Sequence, residues 1–191
     1  EGCRQYGVFG GERVVVIDVA GKVLAEARKL TDSPKIQHQI RNIDEVTGLE
    51  GAFDLIVSYL AIDYVRDFQK LADSVWMRLA EGGLFIFSQE HPLTTAPLAG
   101  PDYFYDAGGR LLPYKLTDYG REGLRRTHWF IDEVEKEHRS FSTLVNALIR
   151  AGFSIEQMLE PLPNEAAIKI NPGLIKEFHK PSFLIIRALK P

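Results

Sequence analysis

Hydrophobic runs and amphipathic stretches alternate along this chain. Residues 13–18 contain four consecutive β-branched residues, a pattern typical of a parallel strand that is buried on both faces. Residues 19–30 follow with hydrophobic positions at helical spacing and charged positions on the other face. The first predicted unit is therefore a strand that ends in an acid, Asp18, and leads into a helix.

The same unit recurs further along the sequence. Residues 53–58 predict a second buried strand, and residues 65–80 carry the hydrophobic stripe of a helix that residues 81–83 (Glu-Gly-Gly) should end. Residues 84–88 predict a third buried strand, and residues 34–40 predict a weaker one between the first two units. This alternation predicts an α/β fold with a doubly wound, mostly parallel, Rossmann-like sheet.

A long irregular segment follows the third strand. Residues 91–127 are rich in proline, glycine and tyrosine, and they are too long for a simple connection and too aromatic for a disordered linker. We interpret residues 93–128 as a lid or substrate-binding insertion in a single domain that covers residues 1–191. Beyond it we predict a helix, a strand, a short helix and a final strand at residues 142–151, 154–159, 172–179 and 182–189.

The composition narrows the classes of function. The 191 residues carry a formal net charge of −3, so no overall positive field favours nucleic acid or an anionic membrane. A lone cysteine, Cys3, excludes an intrachain disulfide framework, and the hydrophobic runs are far shorter than the roughly 20 residues of a membrane span. We expect a cytoplasmic protein; a homodimer is compatible with the sequence.

The candidate ligand-binding residues follow the predicted strands, where ligands bind in this architecture. Asp18 could accept hydrogen bonds from both ribose hydroxyls of a nucleoside; we favour this role over that of a plain helix N-cap. After the weaker strand, Ile43 could stack on an adenine while Asp44 accepts from its amino group, although such a triplet with Glu45 is more often surface loop. Ser58, Tyr59 and Leu60 leave the second strand at the same edge, where an ordinary turn is an equally good interpretation.

Reactive side chains follow the third strand. Glu90 and His91 place an acid and an imidazole at its carboxyl end, although a His-Pro pair is usually a turn. The insertion is locally basic, which favours a solvated face but also allows a cradle for a carboxylate or phosphate. Its basic residues are Arg110, Lys115, Arg121, Arg125, Arg126 and His128.

Together these segments resemble the class I S-adenosylmethionine-dependent methyltransferases. The resemblance is to a small bacterial subgroup whose fifth strand runs into an F-S-x-E-H-P motif, here residues 87–92. It implies S-adenosyl-L-methionine as cofactor, with Gly2 near its methionine, Asp18 on its ribose, Ile43 and Asp44 at its adenine, and residues 58–60 beside its methionine. It also implies a small-molecule methyl acceptor beneath the insertion, near Glu90, His91 and Tyr105. The segments that carry the resemblance are residues 14–18, 53–61, 81–88, 137–144 and 151–155.

The sequence departs from the family at three places. The glycine loop G-C-G-x-G becomes G-C-R-Q-Y-G, with Arg4 where glycine would let the backbone approach a ligand. The strand and helical cap that precede this loop are missing, so a chain that begins at Glu1 should bind the cofactor poorly, whereas in a longer chain the true loop lies upstream. Asp63 stands where the resemblance leads us to expect histidine.

Methyl transfer is an in-line displacement, so the protein mainly positions the reactants and removes a proton where the acceptor requires it. We predict that His91 or Glu90 is the base and that no metal takes part. Two alternatives stay open: a methyltransferase-like binding module without activity, which the Arg4 departure favours, and a nicotinamide-dependent oxidoreductase. The second should show an intact G-x-G-x-x-G, which this sequence lacks.

Overall fold

The computed structural model describes residues 14–18, 20–30, 33–98, 103–129 and 131–191, and its elements largely follow the predicted alternation. The strands are β1 (Val14–Asp18), β2 (Ile36–Ile40), β3 (Phe53–Tyr59), β4 (Leu79–Glu90), β5 (Gly123–Trp129), β6 (Ile131–His138), β7 (Ser154–Leu159) and β8 (Phe183–Leu189). The α-helices are α1 (Gly21–Leu30), α2 (Phe68–Arg78), α3 (Pro92–Thr95), α4 (Phe141–Ala151) and α5 (Glu165–Ile170), and 3₁₀ helices lie at Ile43–Gly48, Ile62–Tyr64 and Pro172–Phe178.

The strands of the described residues form three sheets. β1 and β2 pair in parallel, with Asp18 opposite Ile40 at their carboxyl ends. A second sheet has the order β3-β4-β8-β7, in which β3 and β4 are parallel while β8 is antiparallel to both β4 and β7. Three of its four described strands therefore point the same way, and the α/β fold is built on mixed sheets.

The core lies between the four-stranded sheet and the helices α2 and α4. The hydrophobic stripe of α2 buries Phe68, Leu71 and Val75, and the ring of Phe68 meets Phe87 of β4 edge-on at 5.7 Å between centroids. Val15 and Ile17 of β1, and Ile43 at the start of the 3₁₀ helix after β2, pack against the same core. Both parallel strand pairs are therefore anchored on one hydrophobic core, as the periodicity predicted.

The end of α2 differs from the prediction. The helix stops at Arg78 because Leu79 turns to extended backbone, and residues 79–83 then belong to β4. The two glycines lie within β4, beside the end of β8. Gly82 has a φ of +74°, and a Cβ on Gly83 would lie 2.7 Å from the Ala80 carbonyl oxygen. Gly82 and Gly83 exchange main-chain hydrogen bonds with Lys190, which fixes β4 against the chain that leaves β8.

The predicted insertion contains regular structure that its sequence did not indicate. His91 accepts a hydrogen bond from the Leu93 amide and so caps the short helix α3. Further along, β5 and β6 form an antiparallel hairpin.

No helix in the described part of the chain has the length and apolar character that a membrane span requires.

Candidate functional site

Asp18 ends β1 as a buried carboxylate with 2 % exposure. Its Oδ1 accepts a hydrogen bond from the Ala20 amide at 2.6 Å, whereas Oδ2 is buried without a hydrogen-bond partner among the described residues. The bond to Ala20 spans two residues, which makes it an Asx turn ahead of α1 rather than an N-cap bond within the helix. One carboxylate oxygen is thus available to an incoming hydroxyl group.

The candidate adenine-binding residues lie beside Asp18. The Arg41 amide donates to the Asp18 carbonyl oxygen at 3.1 Å, so the chain that leaves β2 runs next to the end of β1. Ile43 follows two residues later as the first residue of a 3₁₀ helix, half-buried against the core. The structure therefore brings Asp18 and Ile43 to the same sheet edge. Gly2 and the side chain of Asp44 lie outside what the structure describes.

Ser58 and Tyr59 are the last two residues of β3, and Leu60 follows them. Ser58 is 7 % exposed and its Oγ has no hydrogen-bond partner within the described part of the chain, while Tyr59 is 53 % exposed. Leu60 has a φ of +50°, a left-handed conformation that is uncommon for a branched residue and is found most often where function requires it. Its amide donates to the Ser88 carbonyl oxygen at 2.9 Å and so ties the end of β3 to β4.

His91 follows β4 and is nearly enclosed, with 2 % exposure. Because Nδ1 accepts from the Leu93 amide at 3.1 Å, the ring proton resides on Nε2, which lies 2.9 Å from Glu160 Oε1. Burial lowers the pKa of His91, and Glu160 opposes this shift. Both ring nitrogens are therefore engaged, and the imidazole is held as a neutral hydrogen-bonding group.

Glu90 directly precedes His91 and contacts two residues from distant segments. Its Oε1 accepts a hydrogen bond from Lys136 Nζ at 2.9 Å, and its amide donates to Asp63 Oδ2 at 2.9 Å. Lys136 and Asp63 are each 4 % exposed. Burial, followed by the charge of Glu90, raises the pKa of Asp63 to about 7. The sequence identified Asp63 only as a departure from the family, and Lys136 lies in a charged stretch that resembles a solvated face.

Lys180 is a further buried cation near His91, with 1 % exposure. Its Nζ donates to Thr94 Oγ1 at 2.7 Å and lies 5.4 and 5.3 Å from the ring centroids of Tyr103 and Tyr114. Burial lowers the pKa of Lys180 to about 8. No sequence pattern around Lys180 indicated this environment, because it depends on the fold of the insertion.

The basic residues of the insertion do not act as one group. Arg125 is 3 % exposed and its guanidinium donates to the carbonyl oxygens of Ala96 and Arg121, which makes it an internal clamp rather than part of a solvated face. Arg126 pairs with Glu135 at 3.1 Å across the β5–β6 hairpin. Tyr105, which the family resemblance places near the methyl acceptor, is 58 % exposed.

Comparison with known proteins identifies the family. A model of the methyltransferase domain matches residues 2–87. The crystal structure of an S-adenosylmethionine-dependent methyltransferase from Mesorhizobium loti is 38 % identical, with a TM-score of 0.84 over 94 % of this chain and 81 % of that one. The chain belongs to the S-adenosylmethionine-dependent methyltransferases.

Two further relatives of this methyltransferase are similar over most of their length. A Listeria monocytogenes structure assigned to the same class is 31 % identical, with a TM-score of 0.86 over 95 % of this chain and 81 % of that one. An uncharacterised protein of Haemophilus influenzae is 32 % identical over 95 % of this chain and 73 % of its own. The prediction of an S-adenosylmethionine-dependent enzyme with a Rossmann-like α/β fold is thus confirmed.

The residues at the strand ends fit this cofactor. Hydroxyl groups are hydrogen-bond donors, and the unpartnered oxygens of Asp18 and Ser58 are buried acceptors at carboxyl ends of parallel strands. Among the described residues, no main-chain hydrogen bond joins the β1–β2 sheet to the β3–β4 pair. The structure therefore assembles two groups of predicted residues, Asp18 with Ile43 and residues 58–60 with Glu90 and His91.

Proposed function

We propose that this enzyme transfers the methyl group of S-adenosylmethionine to a small molecule that carries an N–H or O–H group. The observation that carries the cofactor part of the proposal is the buried Oδ2 of Asp18 at the end of β1, which has no hydrogen-bond partner among the described residues. A buried acceptor without a donor costs about 1–3 kcal/mol, so its retention favours a ligand that supplies the donor.

The residues divide into a cofactor side and an acceptor side. Asp18 would bind the ribose, Ile43 and Asp44 the adenine, and Ser58, Tyr59 and Leu60 the methionine part, together with Gly2. When bound, the cofactor supplies an electrophilic methyl group. These residues hold it in place, and the left-handed Leu60 fixes the main chain at the end of β3.

Glu90 and His91 would form the acceptor side, with residues 93–128 as its cover. Glu90 is the better proton acceptor, because Nδ1, the one accepting nitrogen of His91, is already bound by the Leu93 amide, whereas the Glu90 carboxylate has a second oxygen besides the one bound by Lys136. His91 would then orient the acceptor rather than take its proton. The enclosure of these groups favours a small acceptor, and the net charge of −3 is a further argument against nucleic acid.

We further propose that the enzyme belongs to the subgroup with the F-S-x-E-H-P motif, because His91 of that motif is buried, Glu90 is half-buried, and each makes specific polar contacts.

The first test is calorimetry with S-adenosylmethionine and S-adenosylhomocysteine. The second is a screen of small amines, alcohols and carboxylic acids, followed through the formation of S-adenosylhomocysteine. We expect binding of both cofactor forms and turnover with one chemical class. Cofactor binding without turnover of any small molecule, together with methylation of a protein or RNA substrate, would refute the small-molecule acceptor.

A further inference from the structure

Three ionisable side chains from three separate elements meet at the carboxyl end of β4. Asp63 comes from the 3₁₀ helix Ile62–Tyr64, Glu90 from the last position of β4, and Lys136 from β6. The Glu90 amide lies 2.9 Å from Asp63 Oδ2, and Lys136 Nζ lies 2.9 Å from Glu90 Oε1. We refer to these three residues as the carboxyl–lysine cluster.

The cluster is shielded from water except at one member. Asp63 and Lys136 are each 4 % exposed, while the Glu90 side chain retains 19 % exposure. A charged group is seldom buried this deeply without a functional or structural reason, since its desolvation costs several kcal/mol. Glu90 is therefore the member that a small molecule can reach, and Asp63 lies behind it.

Neighbouring groups hold the Asp63 segment rigidly. The guanidinium of Arg139 donates to the carbonyl oxygens of Ile62, Val65 and Arg66, which lie before and after Asp63 in the chain. Arg139 thus directs its donors to the main chain, although its charge also acts on Asp63. The charged groups that face Asp63 are Glu90 from β4, Lys136 from β6 and Arg139 just after β6.

We propose that Asp63 and Glu90 act as one proton-accepting unit held by Lys136, in which Glu90 faces the methyl acceptor and Asp63 is its positioning residue. This inference rests on the proposed function. The Asp63 carboxyl fixes the Glu90 main chain through its amide. When Asp63 has lost its proton, its negative charge competes with Glu90 for the positive charge of Lys136. When Asp63 is protonated, this competition is absent.

The proposed step is balanced without any further reactant. The bond from the methyl carbon to the acceptor atom forms as the carbon–sulfur bond breaks, and the electrons of that bond stay on sulfur. The acceptor loses one proton, whose bonding electrons stay on its nitrogen or oxygen, and the Glu90 carboxylate takes that proton. A negative charge on Asp63 strengthens Glu90 as a proton acceptor, because like charges disfavour the ionised form of a neighbour.

The electrostatics agree with this arrangement. Burial and the charge of Glu90 raise the pKa of Asp63 to about 7, against the opposing effects of the Glu90 amide, Lys136 and Arg139. Asp63 therefore changes charge near pH 7, and this change alters the electrostatic environment of Glu90. Histidine is the other side chain that titrates there and accepts a hydrogen bond from an amide, which makes Asp63→His the conservative replacement.

The primary test is carbon-13 NMR of the aspartate carboxyl groups in the free protein, with no cofactor or acceptor present. We expect one aspartate signal to titrate near pH 7, to vanish in Asp63→Asn and to persist in the matched control Asp54→Asn, since Asp54 is exposed on β3. In Glu90→Gln this midpoint should fall, and in Lys136→Met it should rise, each by at least half a pH unit. A purely structural Asp63, whose pKa is raised by burial alone, would keep the same midpoint in Glu90→Gln and in Lys136→Met.

The second test measures turnover with the acceptor found in the screen. Asp63→Asn should lower kcat at least tenfold and flatten its pH dependence near pH 7, whereas Asp63→His should restore a titrating profile and Asp54→Asn should match the wild type. Equal midpoints in the Glu90 and Lys136 variants, or an unchanged pH profile in Asp63→Asn, would overturn the inference. If Asp63→Asn does not fold, the Glu90→Gln and Lys136→Met titrations still decide. Failure of the proposed function is distinct, because it appears as absent cofactor binding in the wild type whatever the NMR titration shows.

Discussion

Replacement of Asp18 by alanine should weaken the binding of S-adenosylmethionine by about 10- to 150-fold. The substitution removes both carboxylate oxygens, of which Oδ1 holds the Ala20 amide at 2.6 Å and Oδ2 is the unpartnered acceptor. A hydrogen bond to a charged group contributes about 1.5–3 kcal/mol, and each 1.4 kcal/mol is tenfold in affinity, which gives the stated range.

Comparison with Asp18→Asn separates binding from folding. Asparagine keeps one oxygen for the Ala20 amide but loses the charge, and in place of the second oxygen it has an amide nitrogen that can donate to a ribose hydroxyl oxygen. Its affinity should therefore fall only several-fold, because a neutral hydrogen bond is worth about 0.5–1.5 kcal/mol. Its stability without ligand should stay near that of the wild type, whereas in Asp18→Ala the loss of the Asx turn, about 1 kcal/mol, is opposed by the removal of a buried acceptor that lacks a donor.

Isothermal titration calorimetry and thermal unfolding of the same preparations measure the two effects. Asp54→Ala, an exposed carboxylate on β3, controls for the loss of one negative charge and should leave the dissociation constant unchanged. An Asp18→Ala protein that is folded and binds the cofactor as tightly as the wild type would refute the ribose role of Asp18.

Three further outcomes follow from the structure. In Glu160→Gln, the pKa of His91, measured by NMR of the imidazole, should fall further below its ordinary value. The reason is that Glu160 in the wild type raises the pKa of His91 against the effect of burial. Gly152→Ala should lower the free energy of unfolding in urea by about 1–3 kcal/mol, since Gly152 has a φ of +103° and its new Cβ would lie 3.0 Å from the Trp76 ring. The folded protein favours the protonated form of Asp63, whose pKa rises from 3.8 to about 7. The free energy that this preference adds to the stability of the fold should be present below pH 4 and lost as the pH rises to about 7. The loss should be on the order of 4 kcal/mol, with stability measured against Asp63→Asn at each pH; parallel pH curves for the two proteins would contradict it.

The sequence predicted most of the elements that build the core, because their hydrophobic positions follow the period of the structure they form. Residues 154–159 coincide with β7, and residues 53–58 give β3 to within one residue. It missed β6, Ile131–His138, for a physical reason. The buried side chains of this strand include Lys136 and His138, which are satisfied by Glu90 and Thr95 rather than by hydrophobic neighbours. A pattern of hydrophobic residues cannot detect polar burial of this kind.

The candidate site shows the same division. Asp18, Ser58 and Glu90 could be predicted because they end strands, and strand ends are local features of a sequence. The partners of Glu90 could not be predicted, since Asp63 lies 27 residues before it and Lys136 lies 46 residues after it. Such contacts depend on how the hairpin and the 3₁₀ helix Ile62–Tyr64 meet β4, and no spacing rule relates them.

Glu90, His91 and Lys180 on the acceptor side of the proposed site differ from Asp18 and Ser58 on the cofactor side in whether their polar atoms have partners. On the acceptor side, Glu90, His91 and Lys180 each have a polar partner within the described part of the chain. On the cofactor side, Asp18 Oδ2 and Ser58 Oγ are buried without one, and Gln89 Oε1, next to Glu90 in β4, is the exception on the acceptor side. A network whose members satisfy one another can stay rigid without a ligand, whereas buried acceptors that lack donors cost about 1–3 kcal/mol each until a donor arrives. Cofactor binding should therefore recover part of that cost and stabilise the fold at β1 and β3, while the acceptor side is formed before either substrate is bound.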